Sequence, residues 1–489
     1  MDVMSRTFSQ NDYSVFGEQI VAEPTPVVQI SNKYALDPAT QNNLETFEAT
    51  GGSADQSNNL FRCQTGTSAG GYGVIRSKND IIYLAGEAIE CRITAAFTTG
   101  IATSLQFAGM FSLTETAAFG YDGADFSVIH EYDGEAEVQT IQVTATPSGS
   151  ETATVTLDGD AVSCSLTNST VQTNAFEILR DCEADATVNG KWRFEQIDDT
   201  VYAISKSVGD KTGTMSFASS TATATVAELN AGVAKSESNV AQASWNVNTA
   251  PFSGFDPTKL NLYKIRFGYL GVAGIEYLVY NPNTAKFVLV HRSQWANAKT
   301  TPQFGNPDMK VGWTAASLGS SGTNLTVTGA SAQLSILGKE QVKNAVYAAN
   351  NSVSSVGTTL TNIITLKDRL VYGTRYNLGK IKPIQVSVDN DHNKGIIVEI
   401  YKNADVAGTP NFQFEEENNS NALIDKAGTT VTNGVLIDAF VVAPQTSETV
   451  DLSKLSIELL TGEKLVVATK TVSGSSTNIS AAITWIEEK

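Results

Sequence analysis

The chain is poor in the residues on which most catalytic and metal sites depend. Only three histidines, His130, His291 and His392, occur in 489 residues. A serine or cysteine hydrolase needs a base within hydrogen-bond reach of its nucleophile, and three scattered histidines do not suggest one. Cysteine is equally sparse: Cys63, Cys91, Cys164 and Cys182 lie far apart, with no CxxC pair and no histidine at ligand spacing. That argues against a zinc site and against a disulfide framework, and it fits assembly in a reducing cytoplasm. Cys91, within EAIECRITAAF, and Cys182 read as small buried hydrophobes.

Charge is scarce too, and basic charge most of all. Charged residues make up 17% of the chain, against roughly 25% in an average soluble protein. Acidic residues outnumber basic ones 51 to 33, a net charge of -18. Without a Lys/Arg cluster there is no surface for a phosphate backbone, so no nucleic-acid partner is expected. An acidic surface suits solubility in a part made in many copies. No stretch approaches the roughly 18 apolar residues of a membrane span. The opening MDVMSRTFSQND has no basic region followed by an apolar run, so neither membrane insertion nor a secretory signal is expected.

What the chain does have is strand texture. From Ala241 to Trp313, short runs alternate apolar and polar residues at the period of two. Leu260 and Leu262, then Ile265 and Phe267, are followed by a turn at Gly271 and Gly274. Ile275, Tyr277 and Val279 alternate again, and Asn281-Pro282-Asn283 makes the next turn before Phe287 to Val290. Ser, Thr, Asn and Gln carry the hydrophilicity, and Thr in particular is favoured on exposed pleats. The fold class expected is mainly β: two β-sandwich (jelly-roll-like) domains with a small inserted α+β module.

Several segments in this order resemble a β-rich virion structural protein family of tailed bacteriophages and large DNA viruses. They are GVIRSKNDIIYLAGEA (Gly73 to Ala88), FGYDGADFSVIHE (Phe119 to Glu131) and ASWN (Ala243 to Asn246). FDPTKLNLYKIRFGYLGVAGIEY (Phe255 to Tyr277), HRSQWAN (His291 to Asn297) and PDMKVGW (Pro307 to Trp313) follow. The resemblance covers roughly residues 20 to 135 and 240 to 340. It implies a place in a virus particle and no catalytic residues, and it says nothing about the hundred or so residues between its halves.

The organisation expected is an extended N-terminal arm over 1–60, packing on a neighbouring subunit or virion protein. A discontinuous sandwich follows over 61–136 and 240–340, with an inserted α+β module at 137–239 and a C-terminal sandwich at 352–489. In the insert, Val171, Ala175, Ile178, Leu179 and Cys182 share one face of a helix, with Ser169 or Thr170 as N-cap. KEQVKNAVYAANN (Lys339 to Asn351) carries a short helical signal. Leu455 to Leu460 is one of the strand candidates near the C-terminus. The Asp-Gly pair of Tyr132-Asp133-Gly134-Glu135 predicts a two-residue hairpin, with Tyr132 opposite Glu135 and His130 opposite Glu137.

Gly66-Thr67-Ser68-Ala69-Gly70 spells G-x-S-x-G, but GYGVIRSK leads into a strand rather than the helix that a nucleophile elbow requires. Glu131, Asp133, Glu135 and Glu137 alternate, yet the Asp-Gly turn disperses them around a hairpin tip. In DNDHNKG, Asp389, Asp391 and Asn393 have calcium-loop spacing. Gly395 is one place late, and Ile400 stands where the bidentate Glu belongs, so a polar hairpin turn is expected. Buried core accounts for Trp245, Trp295 and Trp313, and no glycan site can be placed. No catalytic, cofactor-binding or metal residue is therefore assigned.

The function expected is that of a non-enzymatic virion structural protein, assembled in the host cytoplasm. It would be a tail component (fibre, spike or baseplate part) or a capsid-surface decoration, working through contacts with other virion proteins. A homo-oligomer, with a trimer favoured, and attachment to a host surface glycan or receptor complete the expectation. The alternative is a carbohydrate-binding cell-surface or secreted adhesin.

Overall fold

A computed structural model describes residues 24–83, 86–268, 270–319, 322–337, 345–391, 393–415, 419–455, 457–474 and 477–488. The chain divides into two compact units, one made of 1–134 and 234–342, the other of 135–233 and 343–489. The architecture is mainly β, built from antiparallel sheets in sandwich arrangement.

In the first unit a 9-stranded and an 8-stranded sheet pack face to face. Ala88–Phe97 is central in the former, flanked by Asn261–Gly268 and Ser331–Leu337. Ser104–Phe111, Thr116–Asp122 and Asp125–Tyr132 form a meander in the latter. Period-two alternation turns Phe97, Tyr263 and Tyr277 of one sheet toward Phe119 and Phe126 of the other. Phe119 packs against Tyr263 at 4.7 Å and Tyr277 at 5.5 Å between ring centroids. Such offset and edge-on contacts add to the area that the rings bury.

The segment expected as an arm is part of this sandwich wherever it is described. Thr25–Ser31 pairs with Ser331–Leu337, Leu44–Ala49 with Tyr72–Ser77, and Ser53–Ser57 with Leu60–Gln64. Val28 and Ile30 are buried. Two apolar residues at the strand period suffice here, because an open sheet edge supplies the hydrogen bonds a lone polar segment lacks. Residues 1–23 of the expected arm lie outside the described residues.

In the second unit the former insert and the C-terminal sandwich belong together. Ala136–Ala145 lies between Thr200–Val208 and Thr223–Asn230. The helix Val171–Ala184 lays Ala175, Ile178 and Cys182 on a core shared with the Glu151–Leu157 and Asp160–Leu166 hairpin. Its N-cap is Thr170, whose hydroxyl accepts from the Thr173 amide at 3.1 Å. Glu195, fully buried, accepts from the Leu370 amide at 2.7 Å and pairs with Lys367 at 2.8 Å. The C-terminal sandwich closes a 4-stranded sheet over a 6-stranded one around Ile363, Val398, Val467 and Trp485.

Three local expectations are corrected. The Asp133-Gly134 pair makes no hairpin, although Asp133 does take a left-handed φ of 58°. Thr116–Asp122 occupies one side of Asp125–Tyr132, and Ser236–Glu237 with Val240–Ala241 the other, so Ala136–Ala145 joins another sheet. Val346–Val356 is a strand paired with Thr477–Glu488, not a helix; residues 339–344 of that helical signal lie outside the described residues. Ser453–Leu455 is a 3-10 turn, and Leu459 makes only an isolated bridge to Ile381.

Candidate functional site

The G-x-S-x-G segment is a turn between Leu60–Gln64 and Tyr72–Ser77. Its ends are tied down by Gly66 N–H to Asn324 Oδ1 at 2.8 Å and Gly70 N–H to the Ser317 carbonyl at 2.9 Å. Ser68 is exposed and its carbonyl accepts from Gly71. No helix follows, so the geometry of a nucleophile elbow is missing at this serine.

His130 is buried in an aromatic box of Tyr132, Trp295 and Phe304, with ring centroids at 5.1, 5.5 and 5.2 Å. Burial lowers its pKa to about 4, against the opposing pull of Glu131 and a backbone bond to Gln303. The imidazole is therefore neutral at pH 7. His291 is buried as well, with its pKa lowered by burial, and its Nδ1 accepts from the Asn246 amide at 3.3 Å. Both are structural positions. His392 lies outside the described residues.

The four alternating carboxylates do not share a face. Glu131 accepts from Thr116 Oγ1 at 2.7 Å and pairs with Lys235 at 2.8 Å. Asp133 sits at the left-handed position that ends this strand. In the other unit Glu135 pairs with Arg375 at 2.7 Å, and Glu137 accepts from Gln139 Nε2 at 2.7 Å and from the Lys211 amide. Near Glu131 a further carboxyl, Glu115, accepts from the amides of Gly305 at 2.8 Å and Asn306 at 3.2 Å. Burial pushes it up to about 8, with a contribution from Asp133 and opposition from those amides and Lys235.

The DNDHNKG stretch joins Lys380–Asn390 in one sheet to Ile396–Lys402 in the other, so it is a crossing rather than the hairpin turn expected. Asn390 Nδ2 fastens it to the carbonyls of Lys394 at 2.7 Å and Ala443 at 3.1 Å. Among the described residues no group of three or more His, Cys, Asp or Glu side chains is placed to hold a metal ion. All four cysteines are free and buried. Trp245, Trp295 and Trp313 are core residues. No described helix is long and apolar enough to cross a membrane.

One cleft was not legible in the sequence. Leu44–Ala49 and Ser53–Ser57 diverge into different sheets after the corner at Gly51 and Gly52. Between them lies a cleft of about 630 Å³ lined by Asp37, Thr46, Phe47, Glu48, Ser53, Asp55 and Tyr72. Glu48 crosses it to accept from the Ala54 amide at 3.1 Å, and Asp55 is held by Arg62 through two bonds of 2.7 Å. Arg76 covers one face of the Phe47 ring at 4.8 Å, and the ring stays 39% exposed. Half-exposed aromatics beside hydrogen-bonding carboxylates and hydroxyls can hold a small polar ligand with one apolar face.

No protein-family model matches the chain, and no curated protein matches it. Solved structures similar to it include arcelin-5, a lectin-like defense protein from Phaseolus vulgaris. That match has 9% identity and a TM-score of 0.23, covering 63% of this chain and 97% of the other. Lectin I from Ulex europaeus, solved with the methyl glycoside of α-L-fucose, gives the same four values. A legume lectin-like domain from Entamoeba histolytica has 9% identity and a TM-score of 0.25, covering 64% of this chain and 98% of that one. Likeness at this level assigns neither a ligand nor a function.

Proposed function

We propose that the chain is a non-enzymatic structural component of a virus particle, a tail part or a capsid-surface decoration. It works through protein contacts made by rigid sandwiches. One observation carries this reading. The six segments that resemble the virion family are scattered from Gly73 to Trp313, and all fall in the first unit. Their aromatic residues Phe119, Phe126, Trp245, Tyr263, Tyr277 and Trp313 belong to a single core. A resemblance due to chance strand texture has no reason to select one core from a chain with several. The test is mass spectrometry of purified particles from a culture carrying the gene. The chain should be present in stoichiometric amount, and its absence from particles contradicts the proposal.

The cleft between Leu44–Ala49 and Ser53–Ser57 favours a second reading, a surface protein that binds carbohydrate. A sugar ring could stack on Phe47 or Tyr72 while its hydroxyls donate to Glu48 or Asp37. Titration of the full chain with chitotriose, maltotriose and cellotriose, followed by saturation-transfer NMR, tests it. Binding that disappears in Tyr72→Ala and Glu48→Gln supports this reading, and no saturation transfer from any of the three counts against it.

A further inference from the structure

Among the described residues the C-terminal sandwich leaves one side open, where two consecutive edge strands, Val435–Val442 and Thr446–Asp451, end different sheets. Edge strands present unpaired backbone groups, and proteins blunt them with charge or polarity. Thr446–Asp451, TSETVD, carries Glu448 and Asp451, and the opposite edge Val346–Val356 is rich in Asn and Ser. Val435–Val442 reads VLIDAFVV and has a single charge. Val435 is 64% exposed, Leu436 51% and Val441 65%. Among the described strands Val435–Val442 pairs with Ile396–Lys402 alone, on one side. A bulge at Ile437 confines the regular run to Asp438–Val442. Within that run the Ala439 amide donates to Asp438 Oδ1 at 2.8 Å, finding its acceptor in its own strand.

We infer that this edge is an assembly surface, and that its occupant is the same strand of a second copy, paired antiparallel across a two-fold axis at Ala439. The strand is complementary to itself in that register. Ala439 faces Ala439 of the partner subunit across the axis, where a small side chain allows close approach. Asp438 falls opposite Phe440 of the partner subunit, and the bulged Ile437 with Leu436 beyond it lies toward the partner's Val441 and the partner's Val442. No like charges oppose one another, although each chain carries -18, and apolar cross-strand pairs of this kind are the stabilising unit of a sheet. On pairing, the Ala439 amide exchanges Asp438 for a carbonyl of the other copy. A two-fold contact uses one surface twice and closes, so it stops at a dimer. The inference replaces the trimer expected from sequence and does not depend on the virion role.

The experiment uses the full chain in three variants. Sedimentation velocity over a dilution series should show wild-type chain passing from two copies to one. Val441→Lys should remain one copy at every concentration, with an unchanged circular dichroism spectrum. Ala439→Cys should give a disulfide-linked dimer under mild oxidation, because directly opposed residues stand about 5.5 Å apart between Cα atoms. Val435→Cys, opposite the partner's Ala443, should not, and the four native cysteines are buried. A wild-type chain that stays one copy throughout overturns the inference. So does a trimer, or a dimer that cross-links through Val435→Cys and not through Ala439→Cys.

Discussion

The indole of Trp313 occupies the space in which a Cβ on Gly329 would stand. Its Nε1 donates to the Thr94 carbonyl at 2.8 Å, and its ring packs on Phe61 at 5.1 Å. The glycine is required by space, not by backbone conformation. Gly329→Ala must push a fully buried tryptophan off its hydrogen bond. Overpacking of this kind costs about 1–3 kcal/mol, and urea unfolding followed by tryptophan fluorescence should show a lower midpoint with an unchanged slope.

Glu276 is clasped between two guanidinium groups, Arg266 at 2.5 Å and Arg292 at 2.5 Å. Arg266 is 1% exposed. Removing the carboxylate leaves a buried cation without its main counter-charge. Glu276→Leu should therefore cost about 3–5 kcal/mol. The double variant Glu276→Leu with Arg266→Met should recover part of that loss. If the double variant is as unstable as the sum of both single changes, the pair is not coupled.

His130 and Glu115 impose opposing slopes of stability against pH, which offset one another between about 4.3 and 6.5 and leave a net fall from about 6.5 to 8. His130, lowered to about 4, stays neutral in the fold while the unfolded chain takes up a proton below about 6.5, so its contribution is lost as pH falls between those values. Glu115, raised to about 8, keeps its proton in the fold while the unfolded chain has released it above about 4.3, so its contribution is lost progressively as pH rises from about 4.3 to about 8. Each slope is at most about 1.4 kcal/mol per pH unit. Between about pH 4.5 and 6.5 His130→Phe should therefore make stability fall as pH rises and Glu115→Gln should make it rise, and Glu115→Gln should also remove the fall from about 6.5 to 8, read from melting temperatures across pH 4–9. A variant that changes the slope in the opposite sense contradicts the assignment.

Glu195 ties the α+β segment to the C-terminal sandwich through Lys367 and the Leu370 amide. Glu195→Ala leaves the buried Leu370 amide without its acceptor and the half-buried Lys367 without its partner, at a cost of about 1–3 kcal/mol. Limited proteolysis should then cut earlier within 135–233 and 343–489 than within the rest of the chain. Cleavage spread evenly over the whole chain would contradict this.

The sequence made the main strands legible because each lays one face on a core; Asn261–Gly268 and Ile275–Asn281 are cases. The helix Val171–Ala184 was readable for the same reason at the period of 3.6. The place of Thr25–Ser31 in the sandwich was not, because its few apolar residues gain their meaning only from the sheet edge they join. Asp133-Gly134 misled because turn chemistry fixes a local bend and not which strand comes next. His130 could not be seen as a neutral core histidine, since Trp295 and Phe304, which desolvate it, lie far away in sequence. The cleft at Phe47 and Tyr72 was hidden because its walls belong to strands that part into different sheets.

The place proposed for this chain is in a virus particle. An antibody raised against the purified protein, applied to intact particles with gold labelling and viewed by electron microscopy, tests it most directly. Label is expected at a fixed position on every particle, on the tail or the capsid surface. Label absent from particles and confined to the surface of the producing cell would contradict it.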